Sequence, residues 1–258
     1  MSGCTTVVAV GAKQRVARVL AGPYRWWNIE VAMRYLPIVR LVRAAGLSAD
    51  VTEIGSGGVG IVPYLGRAAI GVDTDFGEWQ APLMTLVKGS VLALPFADGS
   101  RRCVISADML EHLPGHLRDR AIREMVRVSS ALLVIAVPSG PRAFDQDRML
   151  DRKYLLRRHE RYGFLVEHLD HGLPTRDELD ASLREAFVHY HRRASVTYEW
   201  NTNLVTRSVL MRTWIRGTTV SRALLMAANY LHPVLSRWHL GRCYRLVATV
   251  RFAPEPSG

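Results

Sequence analysis

Two stretches of this 258-residue chain combine side chains that could do chemistry. The first, Glu53-Ile-Gly55-Ser56-Gly57-Gly58-Val-Gly60, follows a short apolar run, and an acid, Asp73, stands 18 residues past Gly55. Glycine at 55 and 57 lets the backbone turn tightly and approach a ligand, and a helix opening there offers free N–H donors. A carboxylate ending the next strand, as Asp73 does, can accept hydrogen bonds from two ribose hydroxyls. The second stretch, Asp108-Met-Leu-Glu111-His112, brings two acids and an imidazole together. His112 is the candidate general base for a hydroxyl substrate, since imidazole changes charge near neutral pH. His168 and His171, in Glu167-His-Leu-Asp-His171-Gly, form a further cluster that could border an acceptor pocket.

A strand, a glycine turn and a helix, with an acid at the end of the following strand, suit two cofactor classes: a dinucleotide or S-adenosylmethionine. Glu53 bears on the choice. Beside the turn it would repel a pyrophosphate, whereas it could hold an ammonium group through water or brace the turn.

The elements that must position these residues follow from hydrophobic periodicity. Asp50–Ile54, Ala69–Val72, Met84–Val87, Cys103–Ser106 and Ala131–Val137 each read as a short buried strand, and His116–Val128 as an amphipathic helix. Strands alternating with helices predict an α/β fold with a doubly wound, mostly parallel sheet. Residues 1–48 read as an N-terminal helical segment, with Ala32, Tyr35, Val39, Leu41 and Val42 near one face and Pro37 interrupting it. Residues 49–138 form the cofactor-binding core. Residues 139–258 supply insertions and last strands of the same domain: a helix over Phe144–Tyr162, a helix capped by Thr175 and Glu178, and a strand over Ser195–Trp200. Helices over 204–216 and 219–237 and a final strand, Cys243–Phe252, complete the expectation.

Four stretches within residues 50–138 resemble the core of class I S-adenosylmethionine-dependent methyltransferases of the type-11 family: Glu53–Gly60, Ile70–Asp73, Gly89–Phe96 and Ser106–Leu113. The resemblance implies a Rossmann-like sheet with an antiparallel last strand, S-adenosylmethionine as cofactor and direct methyl transfer. It places Gly55, Ser56, Gly57 and Gly60 around the methionyl part, Asp73 on the ribose, and Ser90 and Val91 beside the adenine. Asp108 begins the segment facing the transferred methyl. The chain departs from the family where Ser90 replaces an acid, Arg102-Cys103 replaces Phe-Asp and Ser129-Ser130 replaces a Gly-Gly turn. Only ten residues separate Asp73 from Met84, too few for a helix and its loops. Asp108, Glu111 and His112, at i, i+3 and i+4, would share one face of a helix. The trio is similar to the metal motif of small-RNA 2′-O-methyltransferases and some ubiquinone-pathway O-methyltransferases, with Asp108 in place of Glu. Most relatives carrying Glu-His here need no metal, and none is expected.

Charge bears on the acceptor. The chain is formally +11, yet residues 192–251 alone hold ten Arg against one acid, Glu199, for a local +9. Interleaved with Tyr198, Trp200, Trp214, Tyr230, Trp238 and Tyr244, this segment suits an anionic membrane surface or a lipid-linked or small-molecule acceptor. Nothing resembles an appended RNA-binding module, so nucleic acid is not the expected partner and an RNA methyltransferase is an alternative only. The other alternative is a non-catalytic member of the fold that binds a membrane or partner through its basic end. Three dispersed cysteines (Cys4, Cys103, Cys243) and no signal-like N-terminus suit a reduced cytoplasmic protein, peripheral to the membrane at most.

Overall fold

The computed structural model describes residues 28–237 and 240–254. Residues 1–27, including Cys4 and over half of the expected N-terminal helical segment, and Trp238 lie outside that description. The chain runs α1 (Ile29–Ala44), β1 (Val51–Ile54), α2 (Val62–Leu65), β2 (Ala69–Asp73), β3 (Met84–Lys88), β4 (Arg101–Ala107), α3 (Gly115–Val128) and β5 (Ser129–Pro138). It continues through α4 (Pro141–Arg158), α5 (Gly163–His171), α6 (Arg176–His189), β6 (Ala194–Asn203), α7 (Leu204–Arg216), α8 (Thr219–Ala228), α9 (His232–Leu235) and β7 (Cys243–Phe252). The strands form one sheet in the order β3-β2-β1-β4-β5-β7-β6. β1 to β5 pair in parallel, and β7 enters antiparallel between β5 and β6. This is the Rossmann-like, doubly wound arrangement with an antiparallel last strand that the sequence predicts.

Strand alternation divides the core. Leu132, Val134 and Ala136 of β5 face one layer, packed with Tyr35, Ile38, Val39 and Val42 of α1. Leu133, Ile135 and Val137 face the other, against Ile122, Met125 and Val126 of α3 and Leu179 and Leu183 of α6. The capping box expected at α6 is present, with Thr175 and Glu178 exchanging side-chain and backbone hydrogen bonds.

Four local expectations need correction. Pro37 does not interrupt α1, which runs through it; burial of eight residues of the helix, Pro37 among them, outweighs the lost backbone bond. The glycine turn opens on a helix of only four residues, α2. The helix expected over 219–237 gives way at Asn229 to a tighter turn before α9. The strand expected over Ser195–Trp200 runs on to Asn203, because the whole length of β7 is available as its partner. Among the described residues no helix is long and apolar enough to cross a membrane.

Candidate active site

The carboxyl ends of β1, β2 and β4 bring the first group of residues together, where open α/β sheets take their ligands. Glu53, wholly buried, lies beneath the glycine turn. Its carboxyl accepts hydrogen bonds from the Tyr35 hydroxyl at 2.7 Å and the Ile61 N–H at 2.7 Å. Burial pushes that carboxyl up to about 7 despite the two donors. Glu53 therefore braces the turn, one of its two sequence readings. Gly60 is held to glycine from the same side, since an added Cβ would strike the Glu53 carboxylate. Gly57, at φ +53°, gives its N–H to Asp73 at 2.8 Å, and a Cβ there would meet open space. The other Asp73 oxygen accepts from Thr74 N–H at 2.7 Å. Gly55 packs against Met109, and Ser56 gives its hydroxyl to the Gly57 carbonyl at 2.7 Å. Ser90 accepts the Leu92 N–H at 3.2 Å and so caps the turn that half-buries Val91. The short link from β2 to β3 crosses the glycine turn: Ala81 N–H donates to the Gly58 carbonyl at 2.8 Å, and Gly58 lies under the carbonyls of Phe76 and Trp79.

Beyond β4 the sequence expectation changes. Asp108 adopts a left-handed backbone, φ 52°, and Leu110–His112 form a single 3₁₀ turn. The assumption of one helical face for Asp108, Glu111 and His112 therefore fails. Asp108 is turned to Arg245, whose guanidinium donates two hydrogen bonds of 2.5 Å to its carboxylate, and to Arg34 Nε at 2.8 Å. Burial pushes the Asp108 carboxyl up, but the charges of Arg245 and Arg34 outweigh it and hold the group well below the usual carboxylate range. An ion-paired carboxylate of this kind anchors the β4 edge to β7 and α1.

Glu111 is turned inward and wholly buried, and neither carboxylate oxygen accepts a hydrogen bond from another residue. Burial, then the nearby Asp108 charge, pushes its carboxyl well up. His168 Nε2 lies 3.8 Å from Glu111 Oε1 and His112 Nε2 4.0 Å from it. Each imidazole is held from behind by a carboxylate on Nδ1: Asp147 at 2.8 Å from His168, and Glu167 at 2.6 Å from His112. Burial lowers the His112 pKa and the neighbouring His168 imidazole lowers it further, against the pull of Glu167. Asp147 also accepts from Tyr244 Oη at 2.8 Å and pairs with Arg207 at 2.8 Å. His171 is not brought to this cluster. Leu165 and His168 are the buried residues of α5, and the His171 carbonyl accepts from Arg118 instead.

Glu111, His112 and His168 line a cavity of about 340 Å³ together with Arg34, Phe164, Trp214 and others from α1, α7 and α8. Asp147, Glu167, Arg34, Arg207, Tyr244 and Arg245 complete this site; from the sequence Glu167 was seen only as a neighbour of His168, Tyr244 only as part of the basic segment, and none as a member of the site. One signal was present: Arg245 sits within an otherwise apolar stretch, Tyr244–Ala248, and an internal arginine demands a buried acid.

Residues 52–131 match the family model described as a methyltransferase domain. Among solved structures the chain is similar to a methyltransferase assigned to an antibiotic biosynthesis pathway of Anabaena variabilis, at 17% identity, 84% of this chain, 98% of that one and a TM-score of 0.48. It is similar also to a SAM-dependent methyltransferase of Archaeoglobus fulgidus, at 15% identity, 83% and 93% coverage and a TM-score of 0.46. A third is the Haemonchus contortus phosphoethanolamine N-methyltransferase 2 bound to S-adenosyl-L-methionine, at 12% identity, 80% and 49% coverage and a TM-score of 0.47. No curated protein matches the sequence. Over residues 52–131, then, the chain carries a match to a methyltransferase domain, in agreement with the resemblance to type-11 class I S-adenosylmethionine-dependent methyltransferases.

Proposed function

We propose that the protein transfers the methyl group of S-adenosylmethionine to a hydroxyl oxygen of a small-molecule or lipid-linked acceptor held in the cavity beside β4, at the cytoplasmic face of a membrane. The residues present fit the cofactor. Gly57 is open on its ligand side, and Asp73, half-buried beside it, keeps lone pairs beyond those its backbone donors use. Gly55, Ser56 and Gly60 shape the turn around the methionyl part, while Ser90 and Val91 border the base. Bound there, the cofactor supplies an electrophilic methyl on a sulfonium.

The observation that carries the oxygen assignment is the cluster of Glu111, His112 and His168 at the cavity wall. Displacement forms a C–O bond as the C–S bond returns its electron pair to sulfur, and a hydroxyl must also lose its proton; the cluster is where that proton is removed. An amine needs only its neutral form. A lipid-linked acceptor is favoured by α7 and α8, which expose Val205, Val209, Val220 and Leu224 beside exposed Arg212, Arg216 and Arg222.

Two measurements test this. S-adenosylmethionine and S-adenosylhomocysteine at ~100 times their Kd raise stability by about 2.7 kcal/mol, and NAD does not. Gly57→Ala, whose methyl points into open space at a backbone cost of about 1–2 kcal/mol, abolishes that response. A response to NAD alone refutes the assignment. Methyl-labelled cofactor given with a solvent extract of cellular lipids and small molecules then yields an acid- and base-stable methyl ether. Label found on nitrogen, or no transfer to any fraction, refutes the hydroxyl acceptor.

A further inference from the structure

We propose that Glu111, His112 and His168 bind one divalent first-row transition-metal ion, manganese to zinc, at the wall of the cavity. Their ligand atoms lie within 4.8 Å of one another, and they come from segments far apart in sequence, the turn after β4 and helix α5. Bond lengths of about 2.1 Å set ligand atoms roughly 3.0–3.4 Å apart around an ion, so modest side-chain rotation closes the site.

The cluster lacks donors. Asp147 and Glu167 take the Nδ1 protons of the two imidazoles, so each Nε2 presents a lone pair to a carboxylate that presents lone pairs in return. Glu111 is wholly buried, the His168 side chain is 8% exposed, and neither the Glu111 oxygens nor His168 Nε2 has a hydrogen-bond partner. Two acceptors removed from water, on Glu111 and His168, with a third on His112 at the cavity edge, form an arrangement that a cation between them satisfies. The arginines nearby do not supply it, because Arg34 and Arg245 are committed to Asp108 and Arg207 to Asp147. Histidines fixed through Nδ1 by carboxylates are also the usual supports of metal-ligating Nε2 atoms. Two imidazoles with one carboxylate favour a transition metal over magnesium or calcium, which take oxygen ligands. The set differs from the sequence trio: His168 enters, and Asp108 drops out because its charge is already met.

Three protein ligands leave open positions, and all three residues line the cavity. The role of the ion rests on the proposed reaction: an acceptor hydroxyl taken at an open position is acidified and oriented for displacement.

Cobalt(II) titration of the chelator-treated full chain tests binding without reference to activity. One equivalent produces visible d–d absorption, zinc abolishes the bands by competition, and tenfold excess magnesium does not. Glu111→Gln and His112→Ala each weaken cobalt binding at least 100-fold; His112 is partly exposed, so its truncation spares the fold, checked by circular dichroism. Absence of the bands, or wild-type affinity in both variants, overturns the site. S-adenosylhomocysteine stabilisation measured on the same samples separates the two ideas. Cobalt binding without that response leaves the metal site and refutes the methyltransferase reading; the response without cobalt binding does the reverse.

Discussion

Asp108 and Glu111 stand three residues apart on one turn, both acids, both removed from water, and they live in opposite electrostatic worlds. Asp108 is pinned between Arg34 and Arg245, so its charge is fully met and its place fixed. Glu111 faces two imidazoles and accepts no hydrogen bond from another residue. The backbone makes the difference: the left-handed conformation at Asp108 throws its side chain towards β7, and the 3₁₀ turn that follows sends Glu111 towards α5. A buried charge with its partners in place is scaffold, whereas one without them is a socket for something else.

Asp108→Asn should have the largest effect. It removes the negative charge between two guanidiniums, one of them on a residue 1% exposed, and costs about 3–5 kcal/mol in urea denaturation. A loss below 1 kcal/mol would mean that Arg245 has another partner and would dissolve the contrast with Glu111.

Glu53 is the intermediate case, hydrogen-bonded but without a guanidinium. Its carboxyl is raised from 4.5 to about 7, so its contribution to stability is complete below pH 4.5 and is lost as pH rises through 7. The loss approaches about 3 kcal/mol. Glu53→Gln should flatten the stability profile between pH 5 and 8 relative to wild type. Parallel profiles for the two proteins would show that the Tyr35 and Ile61 donors already compensate the burial.

Glu111→Gln should change metal-free stability least, by under about 1 kcal/mol, because no hydrogen bond is broken. A loss as large as that of Asp108→Asn, read in the same denaturation series, would show an unseen structural partner and erase the distinction.

The sheet was legible because each strand is a local apolar run: β1 to β5 begin and end within a few residues of the runs that marked them, and β7 coincides with Cys243–Phe252. The glycine turn and Asp73 were legible for a similar reason, since their partnership spans only 16 residues. The acceptor side was not. Asp108 meets Arg245 across 137 residues and Tyr244 meets Asp147 across 97, distances over which no pattern propagates. His112 and His168 were both named, yet only folding α5 against the β4 edge reveals that they share one carboxylate. Choosing His168 over His171 was within reach, since Leu165 and His168 are three apart on the buried side of a short helix. Part of the C-terminal charge was also misread as surface: Arg207 and Arg245 are internal and already neutralised.

The link that crosses Gly58 carries an indole 71% exposed, that of Trp79. Its backbone carbonyl rests on the glycine next to Gly57, which couples the backbone carrying this ring to the turn. A ligand arriving at the turn should change tryptophan emission, and Trp79→Phe should diminish that change while leaving the glycine cradle intact.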